Sequence, residues 1–152
     1  MTLSFRFTIA LGLIAAGIVA SAASYQKSPV NVSRGDLALQ GYDAVAYWTS
    51  GQPTKGSTSF EHRWKDAVWR FSTAANRDQF ATDPARYVPE FGGYCAYAVS
   101  RGYTADIDPN AWRIVDGRLY LNYSKRVQKL WEEDVPGNIA KGRQNWPGVL
   151  AK

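Results

Sequence analysis

Two side chains of this protein occur once each and are chemically versatile: Cys95 and His62, its single cysteine and its single histidine. A thiolate binds soft metal ions or attacks electrophiles, and an imidazole ligates metals or carries protons near neutral pH. Cys95 lies in Gly92-Gly93-Tyr94-Cys95-Ala96-Tyr97. A helix beginning at the glycine pair puts Cys95 in its first turn, where free backbone N–H groups and the helix dipole favour a thiolate. The glycines would also let a backbone or a ligand come close. The plainer reading is that Cys95 is a small buried side chain, as free cysteines usually are. His62 lies in Glu61-His62-Arg63-Trp64, and its plainer reading is a strand histidine bonded to a neighbour.

Two donors do not close a metal site, since zinc takes four ligands and copper(I) two or three. The sequence has no Cys-x-x-Cys or His-x-x-x-His spacing. Asp43 is a candidate oxygen ligand beside Cys95 and His62. Asp106 and Asp108 are further oxygen donors, although Asp106-Ile107-Asp108-Pro109 reads more simply as a turn. Tyr42, Trp64, Tyr94, Tyr97 and Trp112, with Tyr103, are candidates to line an aromatic pocket, against the alternative of plain core packing. No Gly-x-Ser-x-Gly elbow, phosphate-binding glycine loop or recognisably spaced carboxylate pair is present. A Cys95–His62 nucleophile and base is the one catalytic pair left open.

These residues sit in a chain of 152 residues, a length suited to one domain. Hydrophobic residues make up 45% and charged residues 20%, which excludes a disordered chain. Aromatics reach 14%, enough to build a core on. The formal net charge of +5 is scattered along the chain rather than gathered in a phosphate-tracking run, which argues against nucleic-acid binding. Arg6, the apolar run Phe7 to Ala20 and the small-x-small site Ala20-Ser21-Ala22 read as an export signal over residues 1–22. A lead-in over 23–35 and a domain over 36–148 follow. The expected location is periplasmic or secreted, with no membrane span after signal cleavage. No feature fixes an oligomeric state. With one cysteine no internal disulfide can form, so stability must come from the aromatic core.

The patterning predicts an α+β fold: a small antiparallel sheet from two hairpins, packed against a central helix and two C-terminal helices. Asp36 to Gly41 reads as a short helical turn, and Val45 to Trp48 as a strand. Ser57 to Ser72 reads as a hairpin turning at Lys65-Asp66-Ala67, with Phe60, His62 and Trp64 on one face. Ser72 or Thr73 caps a helix to about Thr82 with Phe80 inside, and Asp83-Pro84 stops it. Tyr94 to Ser100 reads as a short helix and Gly102 to Ala111 as a loop. Asp116-Gly117 turns a second hairpin. Ser124 caps a helix with Val127, Leu130 and Trp131 on one face. A last helix starts near Pro136, with Ile139 and Trp146 packing it back.

The chain resembles exported YHS-domain proteins. The resemblance rests on Gly41-Tyr42-Asp43-Ala44-Val45-Ala46-Tyr47, on Trp69-Arg70-Phe71-Ser72 with Phe80, Asp83-Pro84 and Tyr87, and on Gly92-Gly93-Tyr94-Cys95-Ala96-Tyr97-Ala98. It continues through Asp108-Pro109, Ala111-Trp112 and Asp116 to Ser124, and covers about Asp36 to Trp146. It implies a small α+β module of the kind found in metal-handling proteins such as copper-transport ATPases. Metal-associated members carry a pattern like Asp-Pro-Val-Cys-Gly-Met and a later Phe-Cys-Ser-x-x-Cys-x-x-x-Phe. This chain has Ala46, Ser72 and Asn76 where those cysteines fall, which removes the soft donors.

Three functions are therefore expected in turn. The first is a non-catalytic module holding a soft metal ion, copper or zinc, through Cys95 and His62. The second is an aromatic pocket for a small molecule, with Cys95 inert. The third is a thiol redox or Cys–His enzyme.

Overall fold

The computed structural model describes residues 26–152, so the expected signal over 1–22 lies outside the described residues. Among the described residues no helix is long and apolar enough to cross a membrane. The strands are β1 (Val32–Ser33), β2 (Leu37–Ala38), β3 (Ser57–Trp64), β4 (Ala67–Phe71), β5 (Asp108–Val115) and β6 (Arg118–Asn122). The helices are α1 (Ala46–Thr49), α2 (Ala74–Thr82), α3 (Pro84–Tyr87), α4 (Ala96–Ser100), α5 (Lys125–Glu132) and α6 (Val135–Asn145). The protein is α+β.

Both expected hairpins form, and their turns explain why. Lys65 and Asp66 take φ of 48° and 58°, and Asp116 and Gly117 take 48° and 71°. Two successive positive φ values give the turn whose twist matches paired strands. Along β3 the half-buried residues are Ser57, Phe60, His62 and Trp64, so the expected alternation holds over its second half. The two hairpins belong to separate sheets. One sheet is four-stranded and mixed, in the order β1-β2-β4-β3, with β2 parallel to β4. The other is β5-β6 alone.

Helix starts follow local chemistry closely. Thr73, Ser124 and Asp134 each accept the N–H three residues on, which begins α2, α5 and α6. Pro84 ends α2 and opens α3. Three segments depart from expectation. Val45 to Trp48 is helical, not extended, because Asp43 Oδ1 accepts from Val45 N and Ala46 N and caps a turn there. The stretch Asp36 to Gly41 is split by β2 into two 3-10 turns. The expected loop after Gly102 gives way to β5 at Asp108. In α5, Trp131 is fully buried but Leu130 is 37% exposed, and Gln128 takes the inner position beside Val127.

The lead-in is also part of the fold. Val30 is buried, Lys27 N donates to Leu150 O, and Asn31 N donates to Gly92 O. Gly92 has φ of +62°, and a Cβ there would collide with Pro29 O. Gly92 therefore admits the chain's own N-terminal segment, and Gly93 the Leu39 side chain, rather than a ligand. Two aromatic clusters fill the core. One is centred on Trp69, Phe71 and Phe80 between α2 and the mixed sheet, the other on Phe91, Tyr120 and Trp131 beneath the C-terminal helices.

Candidate functional site

Cys95 is the N-cap of α4, one residue before the expected first turn. Its Sγ accepts Ala98 N at 3.5 Å and Tyr123 N at 3.3 Å, while the thiol donates toward Asn122 Oδ1 at 3.7 Å. The side chain is 1% exposed. Burial pushes the thiol above its ordinary range, and the backbone N–H groups at Ala98, Tyr123 and Tyr97 offset this only in part. The fold thus holds a protonated thiol that already has its partners, and the helix start does not yield a reactive thiolate.

This has two measurable consequences. Alkylation of Cys95 in the folded protein at mildly acidic to neutral pH is expected to be slow, at least about tenfold below an exposed thiol. A thiol raised in the fold contributes stability that is complete below the ordinary thiol pKa and is lost as pH rises through the folded value. Stability should therefore decline on the alkaline side of the ordinary thiol range, and Cys95→Ala should flatten the first part of that decline. Tyr47 and Tyr120, also raised by burial, add a fall at higher pH. Urea midpoints at stepped pH check this, and identical slopes in both proteins would contradict it.

The other expected ligands have separate partners. His62 lies on β3, opposite Trp69 and edge-on to Phe80 at 6.0 Å. Asp43 is wholly buried, and Ser72 N, Ser72 Oγ and Asn76 Nδ2 all donate to its Oδ2 at 2.7–2.8 Å. With Val45 N and Ala46 N on Oδ1, its lone pairs are engaged by the protein itself. Ala46, Ser72 and Asn76, the positions aligned with cysteines by the resemblance, therefore meet around a hydrogen-bonded carboxylate. Asp106 accepts from Asn31 and Gln40, and Asp108 from Asn110. Among the described residues no group of three or more His, Cys, Asp and Glu side chains is placed to share a metal ion.

The expected pocket aromatics are likewise dispersed. Tyr42 lies under Lys55, Trp64 packs on Trp69 and Phe80, Tyr94 on Trp146, and Trp112 on Tyr47. Of the six, Tyr97 and Tyr103 border a cleft over Cys95. That cleft holds about 260 Å³ and is completed by Ala98, Ala105, Tyr123 and Val127. Tyr103 and Tyr123 are 52% and 59% exposed, the two most exposed large apolar side chains among the described residues. Val127 is expected on the inner face of its helix, and Asn122 and Tyr123 lie in the hairpin motif, but nothing in the sequence ties them or Ala105 to Cys95. The 28-residue separation between Cys95 and Tyr123 closes only through the α4–β6 packing.

No family model, curated protein or solved structure matches this chain.

Proposed function

We propose that this protein is a non-catalytic binding module, exported and of the YHS type, that holds a small aromatic molecule in the cleft over Cys95. One observation carries the reading: the two large apolar side chains left most exposed, Tyr103 and Tyr123, border the same cleft. Tyrosine rings open at a concave site offer an incoming aromatic group apolar faces with polar rims. The cleft suits one or two fused rings, since an apolar cavity of about 150 Å³ already accepts benzene. Cys95 serves as a floor and a helix cap. Export is supported by the Arg6 to Ala22 pattern, and the YHS reading by the motifs quoted for it.

Indole is a fitting probe. It is expected to shift the NMR signals of Tyr97, Tyr103 and Tyr123, and Ala105→Leu, which narrows the cleft, should weaken it about tenfold or more. Tyr123→Ala should also weaken it, with the fold intact. Unchanged spectra at saturating indole would sink the proposal. Stoichiometric copper(I) uptake lost in Cys95→Ser would instead favour the soft-metal reading.

A further inference from the structure

One of the residues lining the cleft, Tyr97, carries a cation on its ring. Arg101 follows α4 and lies along Tyr97: its Cζ is 4.7 Å from the ring centroid and its Nη2 donates to Tyr97 Oη at 3.3 Å. Among the described residues its charge has no acidic partner. The arginines in ion pairs among the described residues are Arg63, Arg70, Arg77, Arg113, Arg118 and Arg143. Two more cations attach to the same segment through neutral oxygens. Lys27 Nζ donates to Thr104 Oγ1 at 2.9 Å, and Lys152 Nζ to Gly102 O at 3.3 Å. Lys125 and Arg126 open α5 just past Tyr123 and Ser124. The one carboxylate of this stretch, Asp106, is engaged by Asn31, Gln40 and Ile107 N.

The floor offers no matching polar group. Ala98, Ala105 and Val127 are apolar, and Cys95 Sγ is already engaged by two N–H groups and Asn122. A molecule seated here must be apolar where it enters and charged, if at all, at the mouth.

We infer that the ligand is a small aromatic carboxylic acid, its ring against Tyr97 and Tyr123 and its carboxylate on Arg101. This rests on the cleft reading above. A guanidinium presents parallel N–H donors that match a carboxylate's two oxygens, which a lysine ammonium does not. The tyrosine rings give an aromatic group offset-stacked or edge contacts that an aliphatic acid lacks. The surrounding lysines raise the local concentration of any anion without fixing its orientation.

Benzoate and benzyl alcohol separate the two levels of the proposal, because they share a ring and differ in charge. Titrations of the protein followed by NMR should show benzoate binding about tenfold tighter than benzyl alcohol. Added salt should narrow the gap. Arg101→Gln should bring benzoate down to the level of benzyl alcohol, and benzyl alcohol should still shift the Tyr123 signals, which shows that the variant keeps its cleft. Equal affinities in the unaltered protein, or a benzoate preference that survives Arg101→Gln, would overturn the acid assignment and leave the aromatic cleft standing. Failure of both probes to move the Tyr97 and Tyr123 signals would overturn the cleft reading as well.

Discussion

Replacing Asp43 with alanine is expected to lower the unfolding free energy by about 3–5 kcal/mol. The carboxylate accepts from five donors: Val45 N, Ala46 N, Ser72 N, Ser72 Oγ and Asn76 Nδ2. Asp43 is fully closed to solvent and Asn76, Val45 and Ala46 are buried, so those donors stripped of their acceptor keep their desolvation cost. The loss is also structural, because this one side chain caps α1, holds the end of β4 and anchors α2. Asp43→Asn does not rescue it, since an amide NH2 placed at either oxygen faces donors. Urea unfolding of both variants checks this. A loss below about 1.5 kcal/mol in Asp43→Ala would show that water reaches the site and substitutes for the carboxylate.

Phe80→Ala is expected to cost a similar amount, about 3–5 kcal/mol. Phe80 is the ring on which the first cluster converges, with Trp69 at 4.7 Å, Phe71 at 5.1 Å, and His62 and Trp64 each at 6.0 Å. The buried residues of α2 are Phe80 and Asn76 alone, so the helix has little else to hold it. Phe80→Leu keeps most of the volume and should cost distinctly less. Thermal melts give the energies, and near-UV circular dichroism reports loosening around Trp64 and Trp69. Asp43 and Phe80 both hold α2, one by hydrogen bonds through Asn76 and the other by packing. Their effects should therefore be less than additive, because a helix already released by one substitution has less to lose from the other. Strict additivity would mean that α2 stays docked on either anchor alone.

The hairpins, the helix caps and the inward Phe80 were legible because each depends on residues close in sequence. Asp116-Gly117 specifies its turn through backbone preference, and Thr73 and Ser124 bond N–H groups three residues away. Segment Val45 to Trp48 misread as a strand for the opposite reason. Its apolar residues fit either structure, and what settles it as a helix is a carboxylate held in place by Ser72 and Asn76 some thirty residues on. Leu130 and Trp131 show the same limit on a helix. Periodicity put both on the inner face, while the packing of α5 on β5 and β6 turned Gln128 inward and Leu130 out.

At the site, the sequence by itself singled out Cys95 and Tyr97 and the helix that carries them, since both lie in one short run beside the glycine pair. It also determined that no disulfide staples this chain and that aromatic packing must stabilise it. Tertiary structure alone decided what surrounds the thiol. It set His62 and Asp43 each among separate partners, gave the close approach at Gly92 to Pro29, brought Tyr103 and Tyr123 to one cleft, and laid Arg101 on the Tyr97 ring. The reason is physical: burial, the raised thiol and the meeting of rings are sums over neighbours supplied by distant segments.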